Sequence, residues 1–284
     1  MSLPREVAVI GAGTMGAGIA RVFADAGAAV RLNARREESL DAARERLGEA
    51  SVLATTSLDD ALEGAELVVE TIVEEAEPKR AVLARAEELA APQAILTTNT
   101  SSLRLSEVAS ALTHRDRFAG LHFLNPPELV EVVEVVGADE TAPASIRTLA
   151  TWMDELGKVP VLVRRDVPGF VVNRLQYALL REAYALVDDG VCSFADVDRA
   201  VTYGLGARWA AIGPFETMDL AGLDVHAAVA ENLWPELSNT TEPSPSIARA
   251  RESGQGLRGD TPPETLRERR NRVLSGLPAL REDV

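Results

Sequence analysis

The glycines of the segment GAGTMG, Gly11, Gly13 and Gly16, constrain the fold of this chain more than any other sequence feature. They follow directly on the apolar run VAVI and precede a small amphipathic segment. At such a strand-to-helix turn the first glycine permits a tight turn, the second lets the backbone approach a pyrophosphate, and the third lets the helix pack on the sheet. The first helical turn, with Thr14 and Met15, offers free N–H groups to phosphates. We therefore predict a dinucleotide-binding turn.

Strand-like and helix-like segments alternate over the first half of the chain. The predicted strands are Val7 to Ile10, Ala29 to Leu32, Val52 to Thr56, ELVVETI, AILTTNT, FAGLHF and VVEVV. The predicted helices are Thr14 to Ala26, Glu37 to Leu47, one that starts at Leu58 with Ser57 as its cap, and Glu77 to Ala90. This alternation predicts an α/β fold of the Rossmann type, with a doubly wound, mostly parallel sheet and helices on both faces.

The pattern becomes helical near residue 166. We place a boundary at about 165, with a dinucleotide-binding domain over residues 1–165 and an all-helical substrate and dimerisation domain over residues 166–284. The segment from about Gly169 to Asp188 predicts one long helix whose apolar coverage is wide for a surface helix. Such a helix is either buried within its domain or shared with a second subunit, and we predict a homodimer.

Charge and cysteine content exclude several classes of function. The formal net charge is −15, and nucleic-acid binding requires clustered Lys and Arg, so neither nucleic acid nor an anionic membrane surface is an expected partner. The single cysteine, Cys192, excludes a disulfide framework and a multi-cysteine metal site, and it fits a reducing cytoplasm. No segment reaches the roughly 18 uninterrupted apolar residues of a membrane span.

His122 is the candidate general base. It stands at the end of a predicted strand, and dehydrogenation of an alcohol without a metal requires a group that accepts the hydroxyl proton. Imidazole is most effective when an acceptor orients its other nitrogen. Glu134 on the next apolar strand, Glu131 and Glu128 are all candidates for that acceptor, and spacing alone does not choose among them. We predict no metal site.

Five segments together resemble the 3-hydroxyacyl-CoA dehydrogenase family. They are VAVIGAGTMGAGIA, NTSSL, RFAGLHFLNPP, VEVVEVV and DVPGFVVNRL, in the family's order and nearly at its spacing. The resemblance implies an NAD(P)-dependent oxidoreductase that acts on a hydroxyacyl substrate. It implies that His122 is the catalytic base, that Glu134 orients it, and that Ser101 and Asn173 bind the substrate oxygen.

The same resemblance extends to the cofactor cleft. Glu74 and Lys79 fall in the segment VVETIVEEAEPK, which is similar to the segment that lines the cofactor and substrate cleft in the family. It also implies that Asn99 and Asn125 lie near the nicotinamide end.

The chain departs from the family's usual pattern in three places. About twenty residues separate Arg36 from Ser57, so the helical hairpin that covers acyl-CoA in the family is missing or reduced to one helix. The usual glycine- and aromatic-rich tail is absent, and the segment after Asn173 resembles the gulonate (lambda-crystallin) and carnitine dehydrogenase branch. A free 3-hydroxy acid, or an acyl group on a carrier protein, needs no such hairpin. The alternatives are therefore a CoA-linked, carrier-linked or free substrate, and a non-catalytic, crystallin-like cofactor-binding protein.

The segment VRLNARR bears on the choice of cofactor. Aligned through the preceding valine, the acid that holds the adenine ribose in the family falls on Ala34, which cannot accept a hydrogen bond with its side chain. Arg35 and Arg36 follow at once, and a planar guanidinium suits a phosphate. Asn33 can still bond a ribose hydroxyl, so NAD stays open. We predict NADP in preference to NAD.

Overall fold

A central sheet of eight strands organises the N-terminal part of the computed structural model, which describes residues 3–254, 256–258 and 262–281. The strands are β1 (Glu6–Ile10), β2 (Ala29–Asn33), β3 (Val52–Thr55), β4 (Leu67–Glu70), β5 (Ile95–Thr98), β6 (Phe118–Phe123), β7 (Val132–Gly137) and β8 (Val159–Val163). Their order is β3-β2-β1-β4-β5-β6-β7-β8, and every pair is parallel except β6 with β7. This is the predicted Rossmann-type, mostly parallel sheet.

Helices cover both faces of the sheet and make up the C-terminal part. The α-helices are α1 (Thr14–Asp25), α2 (Glu37–Leu47), α3 (Leu58–Leu62), α4 (Ala76–Leu89), α5 (Leu105–Val108), α6 (Pro143–Glu155), α7 (Val172–Asp188), α8 (Phe194–Arg199), α9 (Ala207–Trp209), α10 (Pro214–Ala221), α11 (Leu223–Leu233), α12 (Pro245–Ser253) and α13 (Pro263–Arg281). A π-helical turn, Ala200–Gly206, separates α8 from α9.

The core has two apolar layers because the central strands are buried on both sides. All four residues of β4 and all six of β6 are buried, so these strands read as continuous apolar runs rather than as alternating ones. Val7 and Val9 of β1 belong to one layer, whereas Ala8 and Ile10 belong to the other. Alternate residues of one strand therefore supply both layers.

Several predicted boundaries agree with the structure within one or two residues. α2 spans the predicted residues, and the hydroxyl of Ser57 accepts a hydrogen bond from the N–H of Asp60, as expected for a cap. The predicted strand ELVVETI is shorter, since only Leu67–Glu70 is strand. β8 was not predicted, because VPVLV is short and begins beside a proline.

The start of the long C-terminal helix was predicted wrongly. α7 begins at Val172 rather than at Gly169. Gly169 has φ +77° and Phe170 has φ 48°, and neither angle is compatible with a right-handed helix. The chain therefore makes a separate turn before the helix starts.

The chain divides into two compact units, of which the first ends at Arg174 and the second begins at Leu175. Unit 1 contains the sheet, and the described part of unit 2 is helical. The predicted domain boundary at residue 165 lies shortly before this division and stays a prediction. In the part of the chain that the structure describes, no helix has both the length and the apolarity needed to cross a bilayer.

Candidate active site

The glycine turn between β1 and α1 has the geometry that a bound pyrophosphate requires. Gly11 has φ +107°, and a Cβ on Gly16 would stand 1.7 Å from the carbonyl oxygen of Gly11, so neither position tolerates a side chain. A Cβ on Gly13 would meet no atom within 4 Å, and no side chain caps the N-terminus of α1. The turn thus leaves backbone N–H groups and open space at the positive end of a helix, which fits a dinucleotide phosphate.

The end of β2 carries no carboxylate. Asn33 is buried, and its side-chain amide donates to the carbonyl oxygen of Thr55 at 3.1 Å. Ala34 is buried, whereas Arg35 and Arg36 are exposed, and within the described residues neither arginine has an ion-pair partner among the acidic side chains. Two exposed arginines therefore directly follow Ala34, the position at which the family's ribose-binding acid is expected.

His122 and Glu134 are opposite one another in the β6–β7 ladder. The antiparallel register pairs these two residues directly, and Nδ1 of His122 lies 2.7 Å from Oε2 of Glu134. His122 is 3% exposed and Glu134 is fully buried. Of the three acids that spacing left open, Glu134 is the one that contacts the imidazole. A directly opposed antiparallel pair brings side chains within contact distance.

The second carboxylate oxygen of Glu134 binds the chain at the start of α7. Oε1 accepts hydrogen bonds from the N–H groups of Val171 at 2.7 Å and Val172 at 3.0 Å. Burial alone would raise the pKa of Glu134, but the hydrogen bond with His122 and these two N–H donors offset it and lower the pKa below its usual value. An ionised Glu134 only accepts hydrogen bonds, so Nδ1 of His122 carries the proton and Nε2 is free to accept one.

Ser101 lies beside Nε2 of the imidazole, and Asn173 contacts Ser101. The hydroxyl of Ser101 is 3.1 Å from Nε2 of His122. Asn173, on the first turn of α7, donates from its amide to the backbone carbonyl of Ser101 over 3.5 Å, the long end of the hydrogen-bond range. The structure therefore brings together all four residues that the resemblance assigns to the substrate oxygen and the base, although the substrate roles themselves stay predictions.

Glu74 holds the turn that presents Ser101. Its Oε1 accepts hydrogen bonds from the hydroxyl of Thr100 at 2.6 Å and from the N–H groups of Ser101 at 2.8 Å and Ser102 at 2.9 Å. Burial raises the pKa of Glu74, but these donors, together with the charge of Lys79, lower it below its usual value. Glu74 is therefore an ionised anchor of the serine turn as well as a predicted cofactor residue.

Lys79 forms a buried ion pair with Glu70 at the carboxyl end of β4. Its Nζ lies 2.8 Å from Oε1 of Glu70 and 3.4 Å from Oε2 of Glu74, and both Lys79 and Glu70 are almost fully buried. Glu70, the last residue of β4, also accepts from the hydroxyl of Thr98 at 2.6 Å and the N–H of Ile72 at 2.6 Å. The cofactor role of Lys79 stays a prediction. The structure adds that the buried partner of Lys79 is Glu70.

Asn99 and Asn125 occupy different environments. Asn99 follows β5, and its side-chain oxygen accepts from the N–H of Phe123 at 2.8 Å, so it ties β5 to the end of β6. Asn125 is exposed and precedes Pro126 through a cis peptide bond. Both lie at the carboxyl edge of the sheet, where ligands of doubly wound folds bind.

The sequence did not reveal three contributors to this region: Glu70, Thr100 and Phe170. Glu70 reads as the end of an apolar strand, yet a charged residue in a fully buried run is itself a signal that a partner must exist. Thr100 is buried and supports Glu74, which no spacing rule predicts. Phe170 is buried against His122, with ring centroids 5.6 Å apart.

Two family models match the chain. Residues 6–167 match the NAD binding domain of 3-hydroxyacyl-CoA dehydrogenase, and residues 169–256 match the C-terminal domain of 3-hydroxyacyl-CoA dehydrogenase. Among curated relatives, the 5-formyl-3-hydroxy-2-methylpyridine 4-carboxylate 5-dehydrogenase of Mesorhizobium japonicum is 33% identical, with 92% of each chain covered. The human mitochondrial hydroxyacyl-coenzyme A dehydrogenase is 35% identical, with 86% of this chain and 85% of the relative covered.

Solved structures of similar proteins also match this chain over almost its whole length. A crystal structure of 5-formyl-3-hydroxy-2-methylpyridine 4-carboxylic acid 5-dehydrogenase, an NAD+ dependent dismutase, superposes with a TM-score of 0.92 at 32% identity, covering 98% of this chain and 99% of the other. A 3-hydroxyacyl-CoA dehydrogenase of Archaeoglobus fulgidus superposes with a TM-score of 0.76 at 30% identity, covering 97% and 99%.

Proposed function

The chain belongs to the 3-hydroxyacyl-CoA dehydrogenase family, and on that premise we propose that it interconverts a 3-hydroxy and a 3-oxo group, with His122 as the proton acceptor and donor. The substrate is a hydroxyacyl thioester or a free 3-hydroxy acid. The observation that carries this proposal is the continuous contact from Glu134 through His122 to the hydroxyl of Ser101. A bound nicotinamide cofactor supplies the hydride acceptor for oxidation and the hydride donor for reduction.

The protein's own residues handle the proton. In the oxidative direction Nε2 of His122 accepts the proton of the substrate hydroxyl, and in the reductive direction the same nitrogen returns it. The ionised Glu134 stabilises the imidazolium that forms in between, because its pKa is held low by His122 and by two backbone N–H groups. Ser101 and Asn173 position the substrate oxygen by hydrogen bonding, so that the reacting carbon has one orientation.

We propose that NADP is preferred to NAD. The support is local: Ala34 cannot bind the ribose hydroxyls with its side chain, and the exposed guanidinium groups of Arg35 and Arg36 suit a 2′-phosphate. The family model names NAD, and the solved 5-formyl-3-hydroxy-2-methylpyridine 4-carboxylic acid 5-dehydrogenase, to which this chain is similar, is NAD+ dependent. The proposed preference for NADP therefore rests on the residues that follow β2 in this chain.

Among the possible substrates, we favour a compound without a long CoA arm. Only α2 lies between β2 and β3, whereas the resemblance implies a covering hairpin in acyl-CoA enzymes. Free 3-hydroxy acids, such as those of the gulonate and carnitine branch, are the first candidates. Carrier-protein-linked acyl groups are the alternative, and an acidic carrier would need a basic patch such as Arg104, Arg115 and Arg117. Arg115 is paired with Glu140 and Arg117 donates to the carbonyl of Ala94, whereas Arg104 is exposed.

A second candidate reaction is the oxidation of an aldehyde on a carboxylated ring. The specific observation is the TM-score of 0.92 with 5-formyl-3-hydroxy-2-methylpyridine 4-carboxylic acid 5-dehydrogenase over almost the whole chain. The same His122–Glu134 pair serves this chemistry, because the hydrate of an aldehyde also loses a hydroxyl proton as it is oxidised. A non-catalytic, crystallin-like role is disfavoured, since a protein that only binds cofactor does not need a buried, paired base beside a serine hydroxyl.

We also propose a homodimer assembled through unit 2. Phe215, Leu220 and Leu223, on and beside α10, are largely exposed in the single chain. Large exposed apolar side chains grouped on short helices are typical of a protein–protein interface.

The test of the proposed function is His122→Ala against a screen of substrates. Free 3-hydroxy acids, their CoA esters, carrier-linked forms and carboxylated aromatic aldehydes are incubated with oxidised NAD and NADP, and the absorbance of the reduced nicotinamide is followed. We expect turnover of the accepted substrate to fall by about 10²–10⁴-fold in His122→Ala, as for a lost general base, while cofactor affinity persists.

His114→Ala is the matched control for that experiment, because His114 is exposed and makes no contact with Glu134. It should retain the turnover of the unchanged protein. Normal turnover by His122→Ala with the accepted substrate would contradict the proposed mechanism.

A further inference from the structure

The backbone of Phe170 adopts a conformation that bulky residues rarely tolerate. Its φ is 48°, in the left-handed region, and among the described residues it is the one non-glycine with a positive φ. The side chain is 1% exposed, so the residue is held in this conformation inside the protein and not in a loop open to solvent. Glycine would adopt this angle at little cost, whereas phenylalanine adopts it with backbone strain that the packing of its buried ring must offset.

The strained turn directs two backbone N–H groups at one carboxylate. The N–H of Phe170 itself donates to the carbonyl of Val167 at 3.0 Å, which closes the turn. The next two N–H groups, of Val171 and of Val172, the first residue of α7, then both donate to Oε1 of Glu134. If the residues from Gly169 onward were helical, as the sequence predicts, these N–H groups would lie along a helix axis instead.

The ring of Phe170 lies against the imidazole. The two ring centroids are 5.6 Å apart with an interplanar angle of 60°, an edge-to-face arrangement. Phe170 belongs to the apolar layer that also contains Leu105, Val108 and Phe118. The ring therefore joins the apolar core to one side of the His122–Glu134 pair, which limits both rotation of the imidazole and access of water.

We propose that Phe170 is a positioning residue: its left-handed turn fixes Glu134 through the Val171 and Val172 N–H groups, and its ring fixes the imidazole that Glu134 orients. This inference rests on the proposed function, in which His122 exchanges the proton. It adds that the orientation of the base depends on the strained turn before α7, whose Phe170 ring packs against the imidazole.

The test is nuclear magnetic resonance of the full chain with ¹⁵N-labelled histidine, without substrate. The chain has three histidines, His114, His122 and His226, and His122 is assigned by its loss in His122→Gln. In the unchanged protein we expect a downfield proton signal on Nδ1 of His122, protected from solvent by its bond to Glu134. In Phe170→Leu we expect that proton to exchange about tenfold faster or more, as local opening becomes easier.

Kinetics provide the second readout. Phe170→Leu should lower kcat by about tenfold or more, because a small misplacement of a reacting group is costly, while the KM for the cofactor changes little. Phe170→Gly adopts the left-handed angle freely but has no ring, so it should show the same fast exchange. Wild-type exchange in Phe170→Gly would show that the ring has no role and would overturn the proposal.

Phe118→Leu is the matched control, since Phe118 is buried in the same apolar layer on the far end of β6. It should lower the melting temperature as Phe170→Leu does, yet leave the His122 signal and kcat unchanged. The signals of His114 and His226 in the same spectra report whether each variant is folded. Lost turnover with an unchanged His122 signal in Phe170→Leu overturns this inference without touching the proposed function, whereas normal turnover by His122→Ala overturns the latter alone.

Discussion

At the scale of single residues, the site is defined by buried charges and their partners. Glu134 and Glu70 are both fully buried, and each accepts hydrogen bonds from a cationic or ring N–H group and from the backbone. A buried ion without such partners strongly destabilises the fold. Removal of one member of such a pair is therefore expected to lower the free energy of unfolding more than replacement of both members by apolar residues. Residue type and position predict His122 as a candidate base, but they leave three acids open as its partner, among which only the family resemblance named Glu134.

The end of β2 gives a residue-scale prediction about the cofactor. In the unchanged protein kcat/KM should be higher with NADP than with NAD. The double variant Arg35→Ala with Arg36→Ala should lose roughly 10- to 100-fold in kcat/KM for NADP, since a hydrogen bond to a charged group contributes about 1.5–3 kcal/mol. Its kcat/KM for NAD should change little.

The control for the two arginines is Arg46→Ala, because Arg46 is an exposed arginine on the helix that follows them. It should leave both cofactor efficiencies unchanged. Equal or better efficiency of the unchanged protein with NAD would show that the predicted preference is wrong.

At the scale of elements, the site depends on how strands end and helices begin. β5 and β6 are parallel, with Thr98 opposite Gly120, so Ser101 and His122 both emerge at the carboxyl edge of the sheet. β7 runs antiparallel and returns Glu134 to the same level. The sequence predicted these strands, whereas the start of α7 was mispredicted because hydrophobic periodicity carries no information about a left-handed turn.

The glycine turn provides an element-scale prediction that separates folding from binding. In Gly16→Ala the new Cβ would stand 1.7 Å from the carbonyl oxygen of Gly11, so α1 must shift. We expect the melting temperature to fall, with a loss of about 1–3 kcal/mol or more in the free energy of unfolding. Cofactor affinity should fall as well.

Gly13→Ala is the matched variant, because its Cβ would meet no protein atom within 4 Å and its φ of −72° suits alanine. Its melting temperature should match that of the unchanged protein. Calorimetric titration should show cofactor affinity about tenfold weaker or more, since the backbone there must approach a pyrophosphate closely. Unchanged affinity in Gly13→Ala would mean that the phosphates lie elsewhere.

At the scale of the whole molecule, the two units differ in how they bury apolar side chains. The sheet of unit 1 encloses two apolar layers. Several large side chains of unit 2 are more than half exposed: Leu175, Tyr177, Tyr203, Phe215, Leu220, Leu223 and Trp234. A helical unit with this much apolar surface is expected to associate with a second copy.

The oligomeric state is the corresponding prediction. Light scattering coupled to size exclusion should give the mass of a dimer for the unchanged protein. Leu220→Glu should shift the mass towards the monomer, since it places a charge in an apolar interface. Leu53→Glu is the control, because Leu53 is another largely exposed leucine, on the edge strand β3, and this variant should remain dimeric. A monomeric mass for the unchanged protein would contradict the prediction.

The sequence by itself determined the fold class and the glycine turn, and its resemblance to the family supplied most of the residues proposed for the site. These are encoded locally, because a glycine turn, an alternation of strands and helices and a motif's spacing depend on neighbouring residues. The family resemblance named Glu134 as the partner of His122, and the structure places the two in contact. Only the tertiary structure decided that Glu70 holds Lys79 and that Phe170 turns the chain before α7. These depend on strand register and on contacts such as that of Glu134 with Val171, between residues far apart in the chain. No local pattern encodes such contacts, since they form only when the sheet has brought distant segments to one edge.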